Sequence, residues 1–135
     1  MTIELRLDRT AKLAQTVHVR AHEMVTDVSE AEGGEDAGPS PHDLYDAALG
    51  ACKALTVMWY ARKKGIPVDD IQARVERDDA GERQGVYRLH TVLKVHGELS
   101  DAQLQELETV AGKCPVHKLM ATVTTEITTR MERLP

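Results

Sequence analysis

The chain has 135 residues, of which 41% are hydrophobic and 29% charged, and its formal net charge is −5. That length suits a single domain. No apolar run approaches the ~18 residues of a membrane span, and no Lys/Arg cluster interleaved with aromatics offers a nucleic-acid footprint.

Phe is absent, and Trp59, Tyr45, Tyr60 and Tyr87 are the aromatic side chains. The core must therefore be aliphatic, and association into a dimer would help to cover apolar faces that so small a chain cannot bury alone. The opening residues carry acids and lack the basic start and apolar stretch of a signal peptide, so the cytoplasm is the expected compartment.

Along the chain, Ile3, Leu5 and Leu7 alternate with Glu4, Arg6 and Asp8, the period-two pattern of a half-buried strand. Residues 16–27 repeat the pattern with a break near Ala21 and His22, which predicts a hairpin. Residues 29–40 are acidic, Gly-rich and without apolar periodicity, the marks of a surface loop. Ser40 as N-cap, Pro41 at the first helical position and Asp43 as the box partner predict the start of a long helix over roughly 41–64. Lys63, Lys64, Gly65 and Pro67 mark its end. On it Leu44, Ala48, Ala51, Cys52, Leu55 and Trp59 recur at spacings of three and four, which predicts a core-facing stripe containing Cys52.

Ile71, Ala73 and Val75, then Tyr87, Leu89, Thr91, Leu93 and Val95, alternate with polar neighbours across the polar link DDAGERQG, and so predict an antiparallel hairpin. A capping box of Ser100 and Gln103 opens a second helix to about Gly112. Pro115 makes Cys114 the N-cap of a short third helix. Alternating Val123, Thr125, Ile127 and Thr129 predict a closing strand. The fold class is α+β.

The two cysteines form no C-x-x-C pair, which excludes the usual zinc and thioredoxin signals. One reading makes both small buried hydrophobes in a reducing compartment; the other makes them a redox pair. On local grounds Cys114, at a helix N-terminus, is the better-stabilised thiolate, because Cys52 in mid-helix gains nothing from its own dipole. His117, three residues after Cys114, could share a helical face with it as a base or metal partner, but a metal site needs more ligands than this pair. No metal or cofactor is expected.

The segment PSPHDLYDAALGACKALT, joined with the later CPVHK, resembles the OsmC/Ohr family: Pro-x-x-Leu, a run of small residues, a first Cys in the middle of the long helix and a second Cys before Pro. The resemblance implies an OsmC-like fold in an intertwined homodimer. It also implies a peroxidase that acts on organic hydroperoxides in oxidative-stress defence, with a dithiol as reductant. Carried over residue by residue, it makes Cys52 the peroxidatic and Cys114 the resolving cysteine, and so reverses the local ranking.

Strongly active relatives resemble one another in a Glu directly after the Pro and an Arg from the N-terminal strands. Here His42 stands in the Glu position, and Asp43, the nearest acid, is turned by about 100° along the helix. Arg20, which ends a strand at a turn, is the first choice for the Arg, with Arg6 and Arg9 behind it. Leu55 and Trp59, on the helix that carries Cys52, could line an apolar substrate pocket. The loss of the Glu leaves a second reading, a non-catalytic or small-ligand-binding member of the fold with a weakened network.

Overall fold

The computed structural model describes all residues, Met1–Pro135. Its elements are β1 (Ile3–Leu7), β2 (Gln15–Val19), β3 (His22–Thr26), α1 (Pro41–Lys64), β4 (Asp70–Asp78), β5 (Arg88–His96), α2 (Asp101–Ala111) and α3 (Pro115–Thr122), with short 3₁₀ turns at Glu30–Glu32 and Glu82–Gln84. This is the expected α+β layout. No helix is long and apolar enough to cross a membrane. The backbone falls into two compact units, one of residues 1–51 and 74–92, the other of residues 52–73 and 93–135.

In the first unit β1, β2 and β3 form an antiparallel meander in that order. Leu5 pairs with Val17 and Val17 with Met24, so apolar side chains gather on one face. The two-residue link holds Arg20 at φ 54, the left-handed conformation that turns a tight hairpin.

The pairing follows the expectation, but the burial does not: Ile3, Leu5 and Leu7 are 50–57% exposed. Alternation shows that a strand has an apolar face. It does not supply a cover for that face.

The loop after β3 is organised by the buried carboxylate of Asp27, which accepts N–H bonds from Val28 (2.8 Å), Glu35 (3.1 Å) and Ala37 (3.1 Å). Those bonds hold its carboxyl below the usual range, with the Ala37 N–H contributing most. Ser40 and Asp43 then form the expected capping box: the Asp43 N–H donates to Ser40 Oγ (3.1 Å) and the Ser40 N–H to Asp43 Oδ2 (2.9 Å). Within the small-residue run of α1, a Cβ on Gly50 would come within 2.8 Å of Val75 Cγ2, so a residue with no side chain lets the helix lie close on β4.

The second unit has its own core. Val57 and Ala61 of α1, Ile66 beyond it, and Leu107 and Ala111 of α2 are buried together, with Ile71, Leu93, Val95 and Leu99 packed against them. The strands β4 and β5 pair as a two-stranded sheet; the Asp69 N–H donates to His96 O (2.9 Å) at its end in this unit, and the Val86 N–H to Gly81 O (2.9 Å) at its end in the first. The predicted box of Ser100 and Gln103 caps α2, and Cys114 is the N-cap residue of α3 with Pro115 behind it.

Two expectations fail here. The predicted core stripe of α1 is its exposed side, with Leu55 71% and Trp59 62% exposed. The buried line is Asp46, Leu49, Lys53, Val57 and Ala61. The helix is apolar on two flanks, so periodicity alone selects the wrong one. Nor does the predicted closing strand form: residues 123–135 carry no regular structure, and Ile127 is 80% exposed. Val123 is extended (φ −104°, ψ 133°). A strand nevertheless needs a neighbour for its N–H and C=O groups, and the chain lays none beside these residues.

Candidate redox site

In the second unit the two cysteines sit in different settings. Cys52 lies on α1 and is half-buried; Cys114 is 0% exposed; both are free thiols. Cys114 holds the extended conformation of an N-cap (φ −63°, ψ 144°), and its side chain makes no capping hydrogen bond. The backbone around it is well tied: the Lys113 N–H donates to Val110 O (3.0 Å) and the Lys118 N–H to Cys114 O (3.3 Å).

The residue after Cys52 lies deeper than Cys52 itself. Lys53 is 4% exposed, and its Nζ lies 2.8 Å from Ala111 O and 2.8 Å from His117 Nδ1. His117 is therefore engaged by a lysine. The signal in the sequence was faint: Lys53 stands four residues after Leu49 and four before Val57, inside an apolar line.

Beside these residues a cleft of about 440 Å³ opens along Thr56, Tyr60, Glu106, Thr109, Val110 and Lys113. It begins one helical turn beyond Cys52, at Thr56, and ends at Lys113, next to Cys114 in the chain. Tyr60 donates its hydroxyl to Glu106, and that bond pushes the phenol above its ordinary pKa and keeps it a donor. Leu55 and Trp59 lie outside the cleft lining and face solvent.

The first unit contains a charged network at the start of α1. Arg77 of β4 donates from Nε to Asp46 Oδ2 (2.5 Å) and from a terminal nitrogen to Asp43 Oδ1 (2.7 Å). Tyr87 donates its hydroxyl to Asp46 Oδ1 (2.7 Å). The Asp43 carboxyl is lowered by the Ser40 N–H first and Arg77 second, and the two carboxylates push the Arg77 guanidinium up. Burial, reinforced by the Asp46 carboxylate, pushes Tyr87 up to about 12.

Of the residues predicted here, Asp43 pairs with an Arg of the first unit, Arg77. Arg20 sits at the β2–β3 turn with its guanidinium 3.9 Å from Met1 Sδ, away from this network. A left-handed turn residue presents its side chain to solvent, whereas a strand residue beside the helix start can reach two of its carboxylates. His42 is not free: its Nε2 lies 2.6 Å from Glu82 Oε1, with the Tyr87 ring edge-on at 6.1 Å. Asp46, Arg77, Tyr87 and Glu82 were missed because β4 and the turn that follows it supply partners that helix periodicity cannot show.

A family model described as OsmC-like protein matches residues 33–130. Comparison with curated proteins gives no match. Among solved structures the chain is similar to a protein from Psychrobacter arcticus provisionally assigned to osmotic stress induction and detoxification response (24% identity, TM-score 0.73, 87% of this chain and 86% of that one). It is also similar to an OsmC-like protein from Mycoplasma pneumoniae (19%, 0.72, 90% and 87%) and to the organic hydroperoxide resistance protein OhrB of Bacillus subtilis (22%, 0.59, 90% and 90%).

Proposed function

Because the chain belongs to the OsmC-like protein family, we propose that it is a thiol peroxidase that reduces organic hydroperoxides in oxidative-stress defence, with Cys52 as the attacking and Cys114 as the resolving thiol. One observation carries the assignment of roles: Cys52 is partly open to solvent, while Cys114 is 0% exposed. A peroxide arriving from solution must reach the attacking sulfur. The resolving sulfur needs to meet only its partner. Access thus outweighs the helix-terminus advantage of Cys114.

The Cys52 thiolate attacks the distal peroxide oxygen, the O–O bond breaks, and the leaving alkoxide takes a proton to become an alcohol. The sulfur, now a sulfenic acid, is attacked by Cys114; the S–S bond forms, the S–O bond breaks and water leaves. An external dithiol reduces the disulfide and is itself oxidised.

Leu55 and Trp59 follow Cys52 at three and seven positions along α1, which places them on its side of the helix as an apolar surface for the organic part of the substrate. Their exposure, with that of Ile127 and Met131 in the tail, fits a homodimer in which a second copy covers them.

The experiment is a comparison of two variants. Cys52→Ser is expected to abolish turnover, whereas Cys114→Ser consumes about one equivalent of cumene hydroperoxide per site and leaves a sulfenic acid that a 1,3-dione labels. No label in Cys114→Ser would overturn the roles. A Cys52 alkylation profile like that of a free thiol, midpoint ~8.5, would favour a non-catalytic, ligand-binding member of the fold.

A further inference from the structure

Among the buried polar and charged residues Lys53 is the only cation, and no carboxylate pairs with it. A buried ammonium is costly unless its donors are used. Lys53 uses two of them, on the Ala111 carbonyl and on His117 Nδ1, each at 2.8 Å.

An ammonium has donors only, so Nδ1 must accept and the ring proton sits on Nε2. The accepting carbonyl belongs to the last residue of α2, where helix carbonyls lack intrahelical partners and the dipole favours a cation. The accepting ring belongs to the first turn of α3.

The five residues between them, 112–116, contain Cys114. One side chain, carried by the neighbour of Cys52, therefore grips the chain on both sides of Cys114.

We infer that Lys53 is a positioning residue for the disulfide step: its bonds to Ala111 and His117 keep Cys114 buried and set where it can meet the oxidised Cys52. The inference rests on the peroxidase reading for the step it serves, but not for the clamp itself. Lys53 touches neither peroxide nor sulfur in this role. It fixes the frame in which the second sulfur attacks.

The test uses Lys53→Met, which keeps the aliphatic stem and removes the donors, and His117→Leu, which removes the acceptor at an exposed position and serves even where the first variant does not fold. In the reduced protein, N-ethylmaleimide labelling read by mass spectrometry should modify Cys114 at least about tenfold faster in either variant than in wild type. After one equivalent of cumene hydroperoxide, the 1,3-dione-trappable sulfenic acid on Cys52 should persist at least about tenfold longer. His117→Asn, which retains an acceptor near the place of Nδ1, should restore both to within about threefold.

Wild-type protection of Cys114 in His117→Leu, with wild-type disulfide closure, would overturn the inference. The labelling arm uses no peroxide. Inert Cys52 in wild type would remove the peroxidase reading, while the labelling rate still decides the clamp.

Discussion

Replacing Arg77 by Met isolates the charged network at the start of α1. The change removes a donor from each of two carboxylates that are differently exposed. The Asp43 side chain is 50% exposed, so its 2.7 Å pair is a surface interaction worth about 0–1 kcal/mol. The Asp46 side chain is 10% exposed and keeps only the Tyr87 hydroxyl once Arg77 is gone. Loss of a charge-assisted hydrogen bond there costs about 1.5–3 kcal/mol.

Arg77→Met is therefore expected to lower stability by about 1.5–4 kcal/mol, most of it through Asp46. With a urea m-value of about 1.5 kcal/mol/M, the midpoint falls by roughly 1.0–2.7 M at fixed protomer concentration, with m unchanged. Adding Asp46→Asn to Arg77→Met removes the stranded charge, so the pair should fall short of additivity by at least about 1 kcal/mol. A single-variant loss below about 0.5 kcal/mol, or strict additivity, would refute the reasoning.

Two further expectations concern the surface and the acid limb. Trp59→Asp should weaken the proposed homodimer by at least about 2 kcal/mol, roughly 30-fold in Kd, read by light scattering against concentration; a monomeric wild type, or an unaltered Kd, contradicts the interface. Asp27 and Asp43 both titrate below the usual carboxylate range. The stability they contribute is present above the unfolded-state value of about 3.9 and is lost as pH falls through the lower folded values. Urea midpoints should thus drop below pH ~4, with a shallower drop in Asp27→Asn; an identical acid slope in that variant would show that the loop is not held by this carboxylate.

By itself the sequence located the three helices and the five strands, and it marked two cysteines as candidates. The caps at Ser40, Ser100 and Cys114 act within four residues of themselves, so local chemistry sufficed to locate the three helices. The period-two runs likewise placed five strands, and the Pro-x-x-Leu and Cys-Pro motifs marked Cys52 and Cys114. Periodicity reports only that a face is apolar, never what covers it. It therefore assigned Leu55 and Trp59 to the core, Ile3, Leu5 and Leu7 to a covered face, and residues 123–129 to a strand, although the structure leaves the first five side chains exposed and pairs no strand with the last segment.

The tertiary structure alone decided the fate of the buried charges on α1. Asp46 and Lys53 are charges on an otherwise apolar line until Arg77 and Tyr87, or Ala111 O and His117, arrive from distant segments to use them. A buried charge is tolerable only where such partners converge, and which partners converge is a property of chain topology rather than of any local window.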